Sequence, residues 1–258
     1  MTTRAASEGF TECEGTCQDC GATFTDRRPA FLARLAAPSR CPACQEKRDR
    51  ERQIAKAAEA ERRRRQQLEE RWQATCPPLY RETDPARLPQ EHLAAVLAWQ
   101  HGPQGLLLIG PTGAGKTRAA WLLLRRLLEE GRRIVAFDCL AFGHEAARRF
   151  RDGTGETWAA GVARADVVFF DDFGKMTLTE RVEAELFGVI EYRTAHRLPI
   201  LATSNMTGAD LEAKASKDRG APLVRRLRDF CRVVVFQPAP GADPKKSVDT
   251  GGGFLGVT

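Results

Sequence analysis

Gly105-Leu106-Leu107-Leu108-Ile109-Gly110-Pro111-Thr112-Gly113-Ala114-Gly115-Lys116-Thr117 is the stretch that decides the fold. Residues 106–109 are apolar without interruption and read as a short strand buried on both faces. They run into a glycine-rich loop, and the loop runs into Arg118-Ala119-Ala120-Trp121-Leu122-Leu123-Leu124, a good helix former. Gly110, Gly115, Lys116 and Thr117 fit the pattern G-x-x-x-x-G-K-[ST]. Glycines at these places let backbone N–H groups approach phosphate oxygens, and the following helix points its positive end at the same spot. The expected phosphate cradle is Gly110, Pro111, Thr112, Gly113, Ala114, Gly115, Lys116, Thr117 and Arg118. Lys116 reaches the β- and γ-phosphates, and the Thr117 hydroxyl ligates magnesium.

Strands alternate with helices from there on. Residues 133–138, 165–172, 199–205 and 233–236 read as strands; the helix after the loop runs to about Glu130, with Gly131 as its cap, and 139–151, 178–196 and 224–230 read as helices. This alternation predicts a mostly parallel sheet covered on both faces. Val167-Val168-Phe169-Phe170 ends in Asp171-Asp172, two carboxylates at the C-terminal edge where open parallel sheets bind ligands. Asp171 is expected to hold magnesium, directly or through water, and Asp172 to orient or deprotonate an attacking water. Asn205, closing the strand before it, either touches the γ-phosphate or the water, or caps the following turn. Arg225, Arg226 and Arg228 lie on the late helix, where one arginine could reach a neighbouring subunit's nucleotide; plain surface arginines are the other reading. From Gln237 onward, prolines and the run 251–253 of glycines predict a disordered tail over 237–258.

Toward the N-terminus, Glu91 to Trp99 reads as a short helix, and Cys76-Pro77-Pro78 closes the segment before it. Tyr80 and Trp99 are read as core residues, with packing near a nucleotide base as the alternative. Residues 45–75 form a charge-rich helical linker in which Glu46/Arg50, Glu59/Arg63 and Glu61/Arg65 are spaced as favourable ion pairs. Two charges in its heptad seam argue against a coiled coil. Arg62-Arg63-Arg64-Arg65 is either a phosphate contact or a solvated helix face. Residues 1–44 carry two C-x-x-C pairs, Cys17/Cys20 and Cys41/Cys44, the donor set of a closed structural zinc site; Cys13 is an alternative ligand. So small a segment draws its folding energy from the metal. The expected organisation is a zinc-binding module at 1–44, the linker at 45–75, a nucleotide-binding domain at 76–236, and the tail.

Composition bounds the rest. Lys and Arg number 40 against 34 Asp and Glu, a net charge of +6, which allows nucleic-acid contact without demanding it. No apolar run approaches the ~20 residues that span a bilayer, and the first residues lack a signal peptide's apolar core. A cytoplasmic protein with reduced or metal-bound cysteines is expected, with no membrane partner.

Several runs together resemble one family. Asp171-Asp172-Phe173-Gly174-Lys175, Thr179-Glu180-Arg181, Leu186-Phe187, Ile190-Glu191-Tyr192-Arg193, Leu198-Pro199, Thr203-Ser204-Asn205 and the earlier Pro77-Pro78-Leu79-Tyr80-Arg81 are similar to the AAA+ branch holding the bacterial helicase loaders DnaC and DnaI and the transposition helper IstB. The resemblance covers about residues 77–236. It implies a P-loop NTPase core of the ASCE type, an α/β fold with the Asp171 strand beside the Ile109 strand and no C-terminal lid. It implies ATP with Mg²⁺ as ligand, Asn205 as sensor 1, and Arg226 as an arginine finger working in trans, hence a homo-oligomer or an oligomer on a partner. Many AAA+ proteins have Glu where this chain has Asp172, and the shorter side chain implies a slow ATPase. The N-terminal cysteines resemble the metal-binding partner-recognition domain of DnaI-type loaders in general plan. The resemblance implies a replicative helicase loader that binds ATP, single-stranded DNA and the helicase. The alternative is an IstB-like helper acting on duplex DNA and a transposase. A small-molecule kinase and a non-hydrolysing adaptor are the more distant readings.

Overall fold

A computed structural model describes residues 4–5, 9–29, 31, 39–175, 179–214 and 218–237. The predicted tail beyond 237 and the first residue of the helix expected from Leu178 lie outside the described residues. The chain divides into two compact units, Met1–Gln67 and Leu68–Thr258.

In the smaller unit, β1 (Arg4–Ala5), β2 (Phe10–Thr16) and β3 (Thr23–Pro29) form an antiparallel sheet in chain order. The turn joining β2 to β3 follows the Thr16↔Thr23 pair and carries Cys17 and Cys20. Gly21 supplies the positive φ of 73° that closes it, and its N–H donates to the Cys17 carbonyl at 2.9 Å. Helix α1 (Pro42–Thr75) starts next to Cys41, so the second cysteine pair sits on a helix's first turn. All three predicted Glu/Arg pairs along α1 form, at 3.4, 2.6 and 2.9 Å. They are exposed, so each adds only tenths of a kcal/mol, ~0.3–0.5.

The larger unit takes up α1 from Leu68. The charge-rich helix is not solvated over its whole length: Trp72 is buried and meets Trp121 edge-on at 5.8 Å. After α1 come α2 (Pro78–Arg81), a 3₁₀ turn at Pro85–Arg87 and α3 (Gln90–Leu97). The core then alternates as predicted: β4 (Gly105–Ile109), α4 (Lys116–Glu129), β5 (Ile134–Asp138), α5 (Cys139–Arg151), α6 (Gly155–Ala163), β6 (Val167–Asp171), α7 (Glu180–Ala195), β7 (Ile200–Ser204), α8 (Gly208–Lys214), α9 (Gly220–Phe230) and β8 (Cys231–Val235). Helices α6 and α8 had no counterpart in the sequence reading. Both are short, nine and seven residues, which is too few turns for a helical period to stand out.

The five strands are parallel, in the order β5-β6-β7-β4-β8. Strand order corrects one expectation. The Asp171 strand does not neighbour the Ile109 strand, because β7 lies between them, pairing Leu106 with Leu201 and Phe169 with Leu201 on its two sides. All five β7 residues are buried, which suits a central strand, and helical crossovers free parallel strands from sequential order. Side chains alternate between two apolar layers. Leu107, Ile109, Val168 and Phe170 face α5, α6, α7 and α9; Leu106, Leu108, Val167 and Phe169 face α3, α4 and Trp72.

Candidate functional site

The loop after β4 turns sharply at both ends. Gly110 has φ 150°, and a Cβ there would lie 2.3 Å from the Phe236 carbonyl oxygen. Gly115 has φ 91° and stands immediately before α4. Both positions require glycine, the first for space and backbone, the second for backbone. The loop is tied down on each flank: the Gly110 N–H donates to the Ser204 carbonyl at 3.2 Å, and the Phe236 N–H to the Ile109 carbonyl at 2.7 Å.

Lys116 is 5% exposed, and its ammonium donates to the carbonyls of Gly110 and Pro111, each at 2.8 Å, and to Asn205 Oδ1 at 2.6 Å. Burial disfavours its charge and brings its pKa down to about 8, against the pull of Asp172 and Asp171. A buried ammonium resting on neutral oxygens gains from an incoming phosphate anion. The Asn205 amide also donates to Thr112 Oγ1 at 3.2 Å. Asn205 is therefore committed to the loop and Lys116, and the turn-cap alternative is not what its side chain does.

Opposite the loop, Thr117 Oγ1 donates to Asp171 Oδ1 at 2.8 Å, and Thr203 Oγ1 donates to the same oxygen at 2.5 Å. Burial raises the Asp171 pKa, while the two hydroxyls work against the rise. Thr203 also accepts the Asp172 N–H on Oγ1 at 2.9 Å, and its carbonyl accepts the Phe173 N–H at 2.7 Å. Thr203 thus positions the Asp171 carboxylate and the Asp172 backbone, a task its place in the sequence did not advertise. Asp172 has φ 53°, an uncommon conformation for a residue with a side chain, and its carboxylate meets Lys175 Nζ at 2.7 Å.

Lys116, Thr117, Asp172, Lys175 and Asn205 open onto one cleft of ≈1130 Å³. Thr112 to Arg118, Asp172, Lys175 and Asn205 line one part of it; Leu79, Tyr80, Leu88, Pro89 and His92 line another. Tyr80 is thus a cleft residue as well as a packing residue, stacked on Trp121 at 6.2 Å, whereas Trp99 is buried and donates its indole N–H to the Gln104 carbonyl at 3.0 Å. Arg118, which also lines the cleft, donates to the Leu79 carbonyl at 3.2 Å and to Thr83 Oγ1 at 3.3 Å, tying α4 to the cleft's other wall. Arg226 stands outside the cleft, paired with Glu191 at 2.9 Å and stacked 4.9 Å over Phe187. Arg193, one residue in the family-like runs, is a structural hub: fully buried, it donates to the carbonyls of Val162, Ala163, Ala165, Asp166 and Pro199.

In the smaller unit the sulfurs of Cys17, Cys20, Cys41 and Cys44 lie within 4.8 Å of one another. Cys20 and Cys41 sulfurs are 3.7 Å apart. Tetrahedral zinc with ~2.3 Å Zn–S bonds sets sulfurs ~3.8 Å apart, so the set has the right number, type and spacing. The Cys41 backbone amide, helped by those of Cys20 and Asp19, brings the Cys17 thiol down to about 6, while the proximity of the sulfurs to one another pushes Cys44 up to about 12 and Cys20 upward. Cys13 is not in the cluster; it pairs across the hairpin with Asp26.

A family model described as IstB-like ATP binding protein matches residues 52–235. The ATP-binding protein assigned to insertion sequence IS1162 of Pseudomonas fluorescens is 31% identical over 116 residues, 44% of this chain and 50% of that protein. The chain therefore spans about half the length of the curated relative it matches. Among solved structures, DnaI aligns with a TM-score of 0.51 at 17% identity, over 64% of this chain and 93% of that one. The DnaC helicase loader aligns with a TM-score of 0.50 at 21% identity, over 57% and 86%. At these identities the likeness is one of fold.

Proposed function

The chain belongs to the IstB-like ATP-binding protein family, and we propose that it is a slow ATPase switch that acts on DNA through a protein partner. The observation that carries this is the meeting of Lys116, Thr117, Asn205 and Asp172 in one cleft, with Asp171 joined to it by the 2.8 Å hydrogen bond from Thr117 Oγ1 to Asp171 Oδ1. ATP is the substrate of this reading, its triphosphate in the loop 110–118 and its base against the wall of Leu79, Tyr80 and His92. Thr117 and Asp171 offer the hard oxygen donors that suit Mg²⁺, which would offset charge on the β- and γ-phosphate oxygens. Asp172 holds the attacking water. The water oxygen bonds to the γ-phosphorus, the bond to the β–γ bridging oxygen breaks toward ADP, and the water's proton passes to Asp172 and then to solvent. Asn205 and Lys116 steady the γ-phosphate through the step. Arg226 of a neighbouring copy is the proposed finger. The four cysteines hold a structural zinc that supplies no chemistry.

Two partners are open. The four-cysteine module supports the loader reading, with a replicative helicase and single-stranded DNA in the cytoplasm. The family description and the insertion-sequence relative support the other, with a transposase and duplex DNA. Binding assays with each protein and each DNA form, with and without ATP, separate them. ATP-dependent retention of a hexameric helicase on single strands identifies a loader; ATP-dependent binding and bending of long duplex DNA identifies a transposition helper. Calorimetry tests the site beneath both: Lys116→Ala loses ATP binding, and unchanged affinity would refute the assignment. Asp172→Asn is expected to keep ATP affinity while turnover drops about 100-fold or more.

A further inference from the structure

The Asp172–Lys175 pair is the feature of the cleft that the reading above leaves without a task. The turn that makes it is fixed on every side. Lys175 N–H donates to the Asp172 carbonyl at 3.0 Å, Gly174 has φ 98°, and a Cβ on Gly174 would collide with Leu211 and Met206 at 2.5 and 2.6 Å. Phe173 between them is buried, and Ser204 Oγ donates to its carbonyl at 2.8 Å. These contacts hold the turn from Asp172 to Gly174, and Lys175 at its end lines the cleft. Its side chain is half-exposed, 49%, so the contact with Asp172 is screened and easily exchanged.

Charge counting gives the pair its use. At the loop's end of the cleft Lys116 is held by the loop carbonyls and Arg118 by Leu79 and Thr83, which leaves Lys175 as the cation in contact with Asp172. Lys175 is near enough to Lys116 and to both acids to act on their charges. A γ-phosphate seated between Lys116 and Asn205 would otherwise face the bare Asp172 carboxylate, two like charges with little water between them. We propose that Lys175 is the γ-phosphate-dependent cation of this site: it neutralises Asp172 when no triphosphate is bound and moves onto the γ-phosphate when ATP enters, leaving Asp172 free to hold the water. ADP has no γ-phosphate and leaves the pair intact. The cleft thereby distinguishes ATP from ADP through a residue of its own chain. The proposal rests on the ATPase reading.

The test is calorimetric titration of the full chain with ADP and with the non-hydrolysable β,γ-methylene analogue of ATP, both with Mg²⁺. The parent binds both. Lys175→Met is expected to lose roughly tenfold for the triphosphate, because the Asp172 charge is left uncovered against the γ-phosphate, and to bind ADP as before. Lys175→Arg keeps the preference. The double variant Lys175→Met with Asp172→Asn regains triphosphate affinity, because the repelling charge is gone; a merely structural lysine would show no such rescue. Equal losses for both nucleotides, or no loss, overturn the proposal while the ATPase reading stands. A parent chain that binds neither nucleotide overturns both.

Discussion

Lys116, Thr117, Asp171 and Asp172 could be located from sequence because their chemistry is written in fixed spacing: a glycine pattern, and acids at the end of an apolar run. Thr203 could not, since a hydroxyl inside a buried strand has no spacing of its own, and its role depends on which strand lies next to it. Arg193 could not either. An arginine four residues beyond Val189 reads as a polar helix position, yet it is fully buried and gathers carbonyls from the end of α6, the loop to β6 and the start of β7. Burial brings its pKa down to about 10, still far above neutrality, so it stays charged at pH 7. Arg193→Met strands several buried carbonyls and is expected to cost about 3 kcal/mol or more. Urea unfolding followed through the larger unit's tryptophans measures this, and an unmoved midpoint would show that the carbonyls find other partners.

Elements follow the same division. The strands β4, β6, β7 and β8 and the long helices α4, α5 and α7 are legible because apolar runs and a 3.6-residue period persist over enough residues. Helices α6 and α8 are too short for that, and the position of β7 between β4 and β6 is a property of sheet assembly that no local pattern carries. The two C-x-x-C pairs were legible as a metal set, and geometry adds how they meet: one pair on a hairpin turn, the other at the head of α1. Metal analysis of the purified chain is expected to find one zinc. Cys17→Ser or Cys41→Ser abolishes it, and Cys13→Ser retains it. Zinc retained in the first two variants, or lost in the third, would require a different ligand set. If zinc supplies the folding energy of so small a unit, a strong chelator should also remove its hairpin signals from an NMR spectrum.

At the scale of the molecule, the cleft gathers the groups proposed for the nucleotide, with Arg226 the exception. Among the described residues no helix is long and apolar enough to cross a membrane. Arg226 lies outside its own cleft, held by Glu191 and Phe187. If it serves a neighbour, activity should depend on concentration and be recoverable by mixing. Arg226→Ala and Lys116→Ala chains, each inactive alone, are expected to regain part of the ATPase rate together, since a mixed assembly contains interfaces with an intact loop on one side and an intact arginine on the other. No recovery at any ratio would mean that the arginine acts within its own chain or not at all. The proposed partner is the part least visible in sequence, because an ATP-binding core carries none of the information that would distinguish a helicase from a transposase. The account as a whole stands or falls with the contents of the cleft. Its most direct test is a crystal structure of the chain grown with Mg²⁺ and β,γ-methylene ATP. The triphosphate is expected along residues 110–118, its γ-phosphate at Lys116 and the metal between Thr117 and Asp171; density for the nucleotide elsewhere, or a cleft without it, would contradict the central claim.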